Sequence, residues 1–282
     1  MSDRISVSLA DGIADVRLNR PDKLNALDQA MFQAICDAGE ALKGDPAVRV
    51  VVLSGEGRGF CAGLDFSSFQ AMAGGGDSGG AGEGAREGDG RSRDEGALGA
   101  IGDTGGRITH VGQQAAWVWQ ELEVPVIAAV HGAALGGGLQ IALGADLRIV
   151  APDAKLSVLE ARWGLIPDMT GTQVLPRLVG LDVAKELTFT GRMVSGEEAV
   201  RLGLATRLAD DPRAAALELA ADLVTKSPDA LREGKRLLNL SGTRPVAEQF
   251  ADERRTMGSL IGSPNQVEAT MAYFEKRPPS YR

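Results

Sequence analysis

Ile5, Val7 and Leu9 alternate with polar positions, Asp11-Gly12 offers a turn, and Ala14, Val16 and Leu18 resume the two-residue period. That pattern predicts a β-hairpin. Leu27, Met31, Ile35, Ala38 and Leu42 then recur at helical spacing, with Asp28 placed to support the first turn. Residues 48–53, apolar apart from Arg49, read as a strand of the buried type. The rhythm resumes beyond residue 107. A helix is expected over 108–121, with Ile108, Val111, Ala115 and Trp119 on one side, and a strand over 124–131. A helix over 137–145, strands over 146–151 and 155–160, and a helix from about 170 follow. Alternation of this kind predicts an α/β fold. From 181 the chain reads as helical over 181–189, 196–202, 212–225, 228–239, 244–260 and 265–275, with a short strand at 204–208. The organisation expected is an α/β core over 1–200 and a helical region over 201–282.

One tract breaks the rhythm. Residues 71–90 hold nine glycines, and mixed charges continue to 95. Such a composition buries too little apolar surface to offset its ordering entropy, so 71–95 reads as a flexible loop. The formal charge of −8 argues against a nucleic-acid or anionic-membrane partner, which needs clustered Lys and Arg. It leaves room for a small anionic ligand. The N-terminus has no signal-peptide core, and no apolar run reaches the ~18 residues that span a bilayer, so a soluble cytoplasmic protein is expected. Cys36 and Cys61 are the only cysteines and His110 and His131 the only histidines. Both thiols are expected to be reduced, Cys61 as a small buried filler, and neither a metal site nor a Ser–His pair is evident.

Two glycine-punctuated stretches each follow an apolar strand. Phe60-Cys61-Ala62-Gly63-Leu64-Asp65 comes after Val50–Leu53, and His131-Gly132-Ala133-Ala134-Leu135-Gly136-Gly137-Gly138 comes after Val126–Val130. Clustered glycine marks a backbone that turns sharply or approaches a ligand closely. Two such segments can aim N–H groups at one point, which is how an oxyanion is held.

Taken in order, Leu18–Leu27, Arg58–Asp65, Val124–Gly132 leading into Gly136–Gly138, Trp163–Asp168, and Phe189–Arg192 followed by Ala199 resemble the signatures of the crotonase superfamily, the enoyl-CoA hydratase and isomerase group. The resemblance spans nearly the whole chain. It implies a spiral of ββα turns, a C-terminal helical region that builds trimers or dimers of trimers, and an acyl-CoA thioester substrate. No separate cofactor is implied, because coenzyme A is part of that substrate. By position, the N–H groups of Leu64 and Gly137 would hold the thioester oxygen, a donor typically being worth ~2.7–4 kcal/mol in the transition state. Ala62, Gly63, Asp65 and Gly136 would line the substrate, and Lys23, Phe274 and Lys276 would reach its nucleotide end. The 71–95 tract would then sit where a flap over the acyl end is possible.

Hydratases of this family flank the substrate with two glutamates. The matching positions are Gln140 and Glu160. A glutamine holds a water but accepts no proton at neutral pH, so hydration is expected to weaken. Asp168 would overlook the same pocket, as a carboxylate does in some isomerases; alternatively it caps the helix that begins near Thr170. One carboxylate suffices to shift a double bond, so isomerisation of an enoyl- or dienoyl-CoA is the first expectation and hydration the alternative. A thioester hydrolase, a dehalogenase and a non-catalytic acyl-CoA binder on the same fold are further alternatives. A dinucleotide-binding reading of Gly55–Gly59 fails for want of an acidic residue at a following strand end.

Overall fold

The computed structural model describes residues 3–65 and 104–282. In chain order the strands are β1 (Ile5–Ala10), β2 (Ile13–Leu18), β3 (Val50–Gly55), β4 (Val126–Val130), β5 (Ala133–Leu135), β6 (Leu147–Val150), β7 (Lys155–Ser157), β8 (Val194–Ser195) and β9 (Arg207–Leu208). The helices are α1 (Gln29–Leu42), α2 (Val111–Glu121), α3 (Gly137–Leu143), α4 (Gly171–Val179), α5 (Leu181–Thr190), α6 (Gly196–Leu202), α7 (Pro212–Val224), α8 (Pro228–Leu240), α9 (Val246–Leu260) and α10 (Pro264–Glu275). The fold is of the α/β class expected.

The hairpin β1–β2 pairs Ile5 with Leu18 and Ala10 with Ile13. From β2 onward the large sheet is parallel, in the order β1-β2-β3-β4-β6-β9. A parallel sheet is covered on both faces, and β3 shows how. Val51 and Leu53 join the main core with Ile35, Val118 and Trp119, whereas Val50 and Val52 meet Ala216 and Ala220 of α7. Each fully buried aliphatic side chain of this kind contributes about 1.5–3 kcal/mol. Both β9 and the covering helix α7 lie beyond residue 200, where the sequence placed the start of the helical region.

A second sheet, β5-β7-β8, sets the site. Its strands β5 and β7 run parallel, with Leu135 opposite Ser157. Parallel strands deliver their carboxyl ends to the same edge, so the turn into α3 and the segment bearing Glu160 emerge side by side.

Three expectations need correction. The strand expected over 155–160 stops at Ser157, and Glu160–Trp163 forms a 3₁₀ turn. Its parallel partner β5 ends at Leu135, opposite Ser157, where Gly136 turns the chain into α3, so the ladder ends. The helix expected from 108 begins at Val111, capped by His110, which leaves Ile108 82% exposed instead of on a buried face. The short strand expected over 204–208 is confined to Arg207–Leu208.

Asp28 caps α1, its carboxylate accepting from Met31 N–H at 2.8 Å, and also bonds Arg4 at 2.6 Å. Asp28→Ala should therefore cost about 1 kcal/mol of unfolding free energy, with Asp28→Asn recovering most of it by keeping the cap. Urea unfolding of the two variants measures both changes.

Candidate active site

The two glycine stretches pair with each other. Phe60 N–H donates to His131 O at 2.9 Å, Cys61 N–H to Ala133 O at 2.8 Å and Leu135 N–H to Cys61 O at 3.0 Å, a short parallel ladder. So close an approach needs residues without side chains. A methyl group on Gly138 would lie 2.3 Å from Cys61 O, and one on Gly63, at φ 87°, would lie 2.6 Å from Leu135 O. Asn25 holds the first stretch from outside. Its amide donates toward the carbonyls of Glu56, Gly59 and Phe60 within 2.9–3.1 Å, while its Oδ1 accepts from Arg20 N–H at 2.8 Å.

Leu64 and Gly137 are thereby brought to one place. The methyl position on Gly63 is 3.8 Å from Gly137 N, and a bridge from Leu27 fixes Leu64 through Leu27 N–H to Gly63 O and Asp65 N–H to Leu27 O. Among the described residues no acceptor engages the N–H of Leu64 or of Gly137. Gly136, at φ 52°, turns the chain into α3, so Gly137 opens that helix with its amide unpaired.

Glu160 stands beside this turn: a methyl on Gly136 would meet its Oε1 at 3.3 Å. Gln140, on the first turn of α3, donates Nε2–H to Glu160 Oε1 at 2.6 Å. Gly171 N–H, at the start of α4, donates to Gln140 Oε1 at 3.0 Å and so fixes which end of the amide faces the glutamate. Glu160 is 8% exposed, and its Oε2 is buried without a hydrogen-bond partner among the described residues. Burial pushes the carboxyl above its ordinary value and the charge of Asp168 adds to the rise, against the hydrogen bonds it accepts from backbone and from Gln140. A buried, half-satisfied carboxyl of raised pKa is the form a proton carrier takes.

Asp168 does not cap α4. Thr170 stands at the N-cap without a side-chain bond, and Asp168 Oδ2 instead lies 4.0 Å from His110 Nε2. Asp65 is engaged by Arg20, whose Nη1 is 2.5 Å from its carboxylate. Ala62 lies half-buried in the same loop, its N–H donating to Leu24 O at 2.9 Å. Lys23, Phe274 and Lys276 are exposed, and among the described residues no hydrogen bond or ion pair joins any of them to Gln140 or Glu160. The 71–95 tract lies outside the described residues. Cys61 is buried, its thiol donates to Asn25 O at 3.0 Å and burial pushes it up to about 12, so it is inert filler. Among the described residues no cluster of His, Cys, Asp and Glu could hold a metal ion. A cavity of about 590 Å³ between the end of α2 and helices α8 and α9, lined by Arg232, Lys235 and Arg236, includes none of these site residues.

Two residues escaped the sequence reading. Asn25 sits inside the Leu18–Leu27 stretch, but the carbonyls it holds, at Glu56, Gly59 and Phe60, lie more than 30 positions on and meet it only through the fold. Histidine is not among the usual N-cap residues, so the cap that His110 makes through Gly112 was not expected, and Asp168 lies 58 positions further on.

Residues 13–280 match the family model described as enoyl-CoA hydratase/isomerase. A protein named methylglutaconyl-CoA hydratase, mitochondrial, from Homo sapiens is 31% identical over 278 residues, covering 96% of this chain and 74% of the relative. Crotonyl-CoA hydratase from Syntrophomonas wolfei is 31% identical over 278 residues, covering 98% and 96%. The crystal structure of an enoyl-CoA hydratase from Bacillus anthracis superposes with a TM-score of 0.83 at 29% identity, covering 99% and 98%. These names are of hydratases, and they lean away from the isomerisation expected from Gln140.

Since the Glu160 pKa is raised by folding, its contribution to stability is full below the ordinary value of 4.5 and is lost as pH rises through the folded value. Glu160→Gln should accordingly be more stable than the parent at neutral pH, with the gap closing as pH falls below the usual carboxylate range. Thermal unfolding across pH measures the gap.

Proposed function

Because the chain belongs to the enoyl-CoA hydratase/isomerase family, we propose that it acts on an enoyl-CoA thioester and adds water across the conjugated double bond. The observation that carries the reading is the lone Glu160 Oε2, buried and unpartnered beside the Gly136–Gly137 turn. In this scheme the N–H groups of Leu64 and Gly137 hold the thioester oxygen as negative charge develops on it. The dipole of α3, although short, adds to their pull. Glu160 takes a proton from water as its oxygen bonds the β-carbon, and then returns that proton to the α-carbon of the enolate. Gln140 keeps Oε1 occupied, so the proton traffic is confined to Oε2.

A second reading is favoured by one observation. The Gln140 amide is tied at both ends, to Glu160 and to Gly171, and offers no basic atom to a water. Glu160 acting alone would then move a proton from one carbon of the acyl chain to another and shift the double bond. The family's known names favour hydration, the glutamine favours migration, and the two are separable by rate. The proposal extends to assembly: Leu238 on α8, Val246, Phe250 and Met257 on α9, and Ile261 just past its end are exposed, which supports a homotrimer or dimer of trimers.

Offered crotonyl-CoA, the protein should form 3-hydroxybutyryl-CoA, and Glu160→Gln should lower kcat by ~10²–10⁴-fold. Gln140→Glu should raise hydration relative to bond migration, by up to ~10²-fold. If 3-enoyl-CoA is isomerised faster than 2-enoyl-CoA is hydrated, the second reading replaces the first.

A further inference from the structure

Glycine leaves room that neighbouring side chains occupy, and at the start of α3 two neighbours divide it. A methyl on Gly136 would meet Glu160 Oε1 at 3.3 Å. One on Gly137 would lie 2.8 Å from Met169 Sδ, 3.6 Å from Met169 Cε and 3.0 Å from Leu27 Cδ1. The thioether of Met169 therefore packs over the residue whose N–H has no acceptor, one position along from the glycine that faces the carboxyl. Met169 is 6% exposed. Nearer its backbone, a methyl on Gly112, in the first turn of α2, would lie 3.9 Å from Met169 Cγ. The side chain thus fills the interval between the start of α3 and the start of α2.

The backbone keeps it there. Pro167 and Met169 are buried while Asp168 between them is exposed, so Met169 points inward. Two residues further on, Gly171 N–H donates to Gln140 Oε1 at 3.0 Å, and Gln140 in turn bonds Glu160. A methyl on Gly171 would lie 2.7 Å from Gln140 Oε1 and 2.9 Å from Pro167 Cβ, so this segment packs against the residue that supports the proton carrier. Between the anchors Thr170 takes a φ of 72°, which a β-branched residue adopts only where its surroundings impose it. Met169 is held in register with Glu160 and with the Gly137 amide by the same few contacts.

We propose that Met169 is a specificity-determining residue: it closes the acyl end of the site between α3 and α2, so that the protein takes thioesters of short acyl chains. A thioester whose oxygen rests on the Gly137 N–H presents its first chain carbons to Glu160, over Gly136. The chain beyond them meets the side chain that covers Gly137. Leu27, fully buried and bridged to Leu64, gives that space a second apolar wall. Methionine suits the place because its unbranched thioether conforms to an apolar neighbour without offering it a reactive group. Truncation to alanine removes Cγ, Sδ and Cε, and each substrate methylene that enters the vacated apolar space tightens binding about fourfold. The inference rests on the proposed function and narrows its substrate class.

Calorimetric titration of the whole chain with CoA and with acetyl-, butyryl-, hexanoyl- and octanoyl-CoA tests this. These saturated thioesters lack the double bond, so binding is read without turnover. The parent should bind butyryl-CoA more tightly than octanoyl-CoA. Met169→Ala should reverse that order, tightening octanoyl-CoA by about tenfold or more while butyryl-CoA changes little. Met169→Val should move the ratio the same way by less, and carries the test if thermal unfolding shows that the alanine variant does not fold. Met169→Leu, of similar volume, should keep the parent's order. A parent that already favours octanoyl-CoA overturns the proposal, as does a ratio unmoved in Met169→Ala and Met169→Val, or moved as far in Met169→Leu. If CoA alone binds as tightly as every thioester, or nothing binds, the proposed function falls and this inference with it. Length-dependent binding that is indifferent to residue 169 removes the inference alone.

Discussion

The ladder between the two glycine stretches is the constraint on which the site depends. Three main-chain hydrogen bonds join Phe60, Cys61 and Leu135 to the facing loop, and Asn25 braces the first loop from behind. Backbone rather than side chains therefore positions Leu64 and Gly137. Amides fixed by a ladder need no reorganisation when charge develops nearby, which is the physical advantage of an oxyanion site made of main chain. The large parallel sheet supports this arrangement by holding β3 and β4, from which both loops depart, in one register.

Against that rigid half of the site stands a strained half. Glu160 sits buried with one oxygen bonded and the other without a partner. An isolated carboxylate in such surroundings lowers stability, and its persistence in a folded site is the usual mark of chemistry. The surrounding groups divide into those that favour the charged form, Gln140 and the backbone, and those that oppose it, burial and Asp168. In the proposed reaction this balance serves a carboxyl that first takes up and then releases a proton.

Much of this was legible in the sequence where the signal is local. Two-residue alternation in Ile5–Leu18, the Asp28 cap, and the apolar runs of β3 and β4 translate directly into elements. The pairing of Gln140 with Glu160 was accessible only through the spacing of family-like stretches, and the coordinates place them 2.6 Å apart. Where the reading erred, a distant partner decided. The strand through 160 was cut short where its partner β5 ends and turns at Gly136, and the start of α2 was set by a histidine that caps through its ring. Asp168 read as a possible cap because sequence shows the nearby helix start but not His110, 58 positions earlier. Hydration against migration is not legible in the motifs, because it turns on how a water or an acyl carbon sits between groups that both chemistries share.

The clamp at Asp65 has a consequence for how the chain can change over time. Arg20 grips its carboxylate and Leu27 its amide, directly after Leu64. That grip holds the residue next to the Leu64 amide, so a change at Arg20 or Leu27 would reach the amide without touching it. Leu27 ties both neighbours of Leu64, Gly63 through its N–H and Asp65 through its carbonyl, so residues far apart in the chain can vary only together with that one amide.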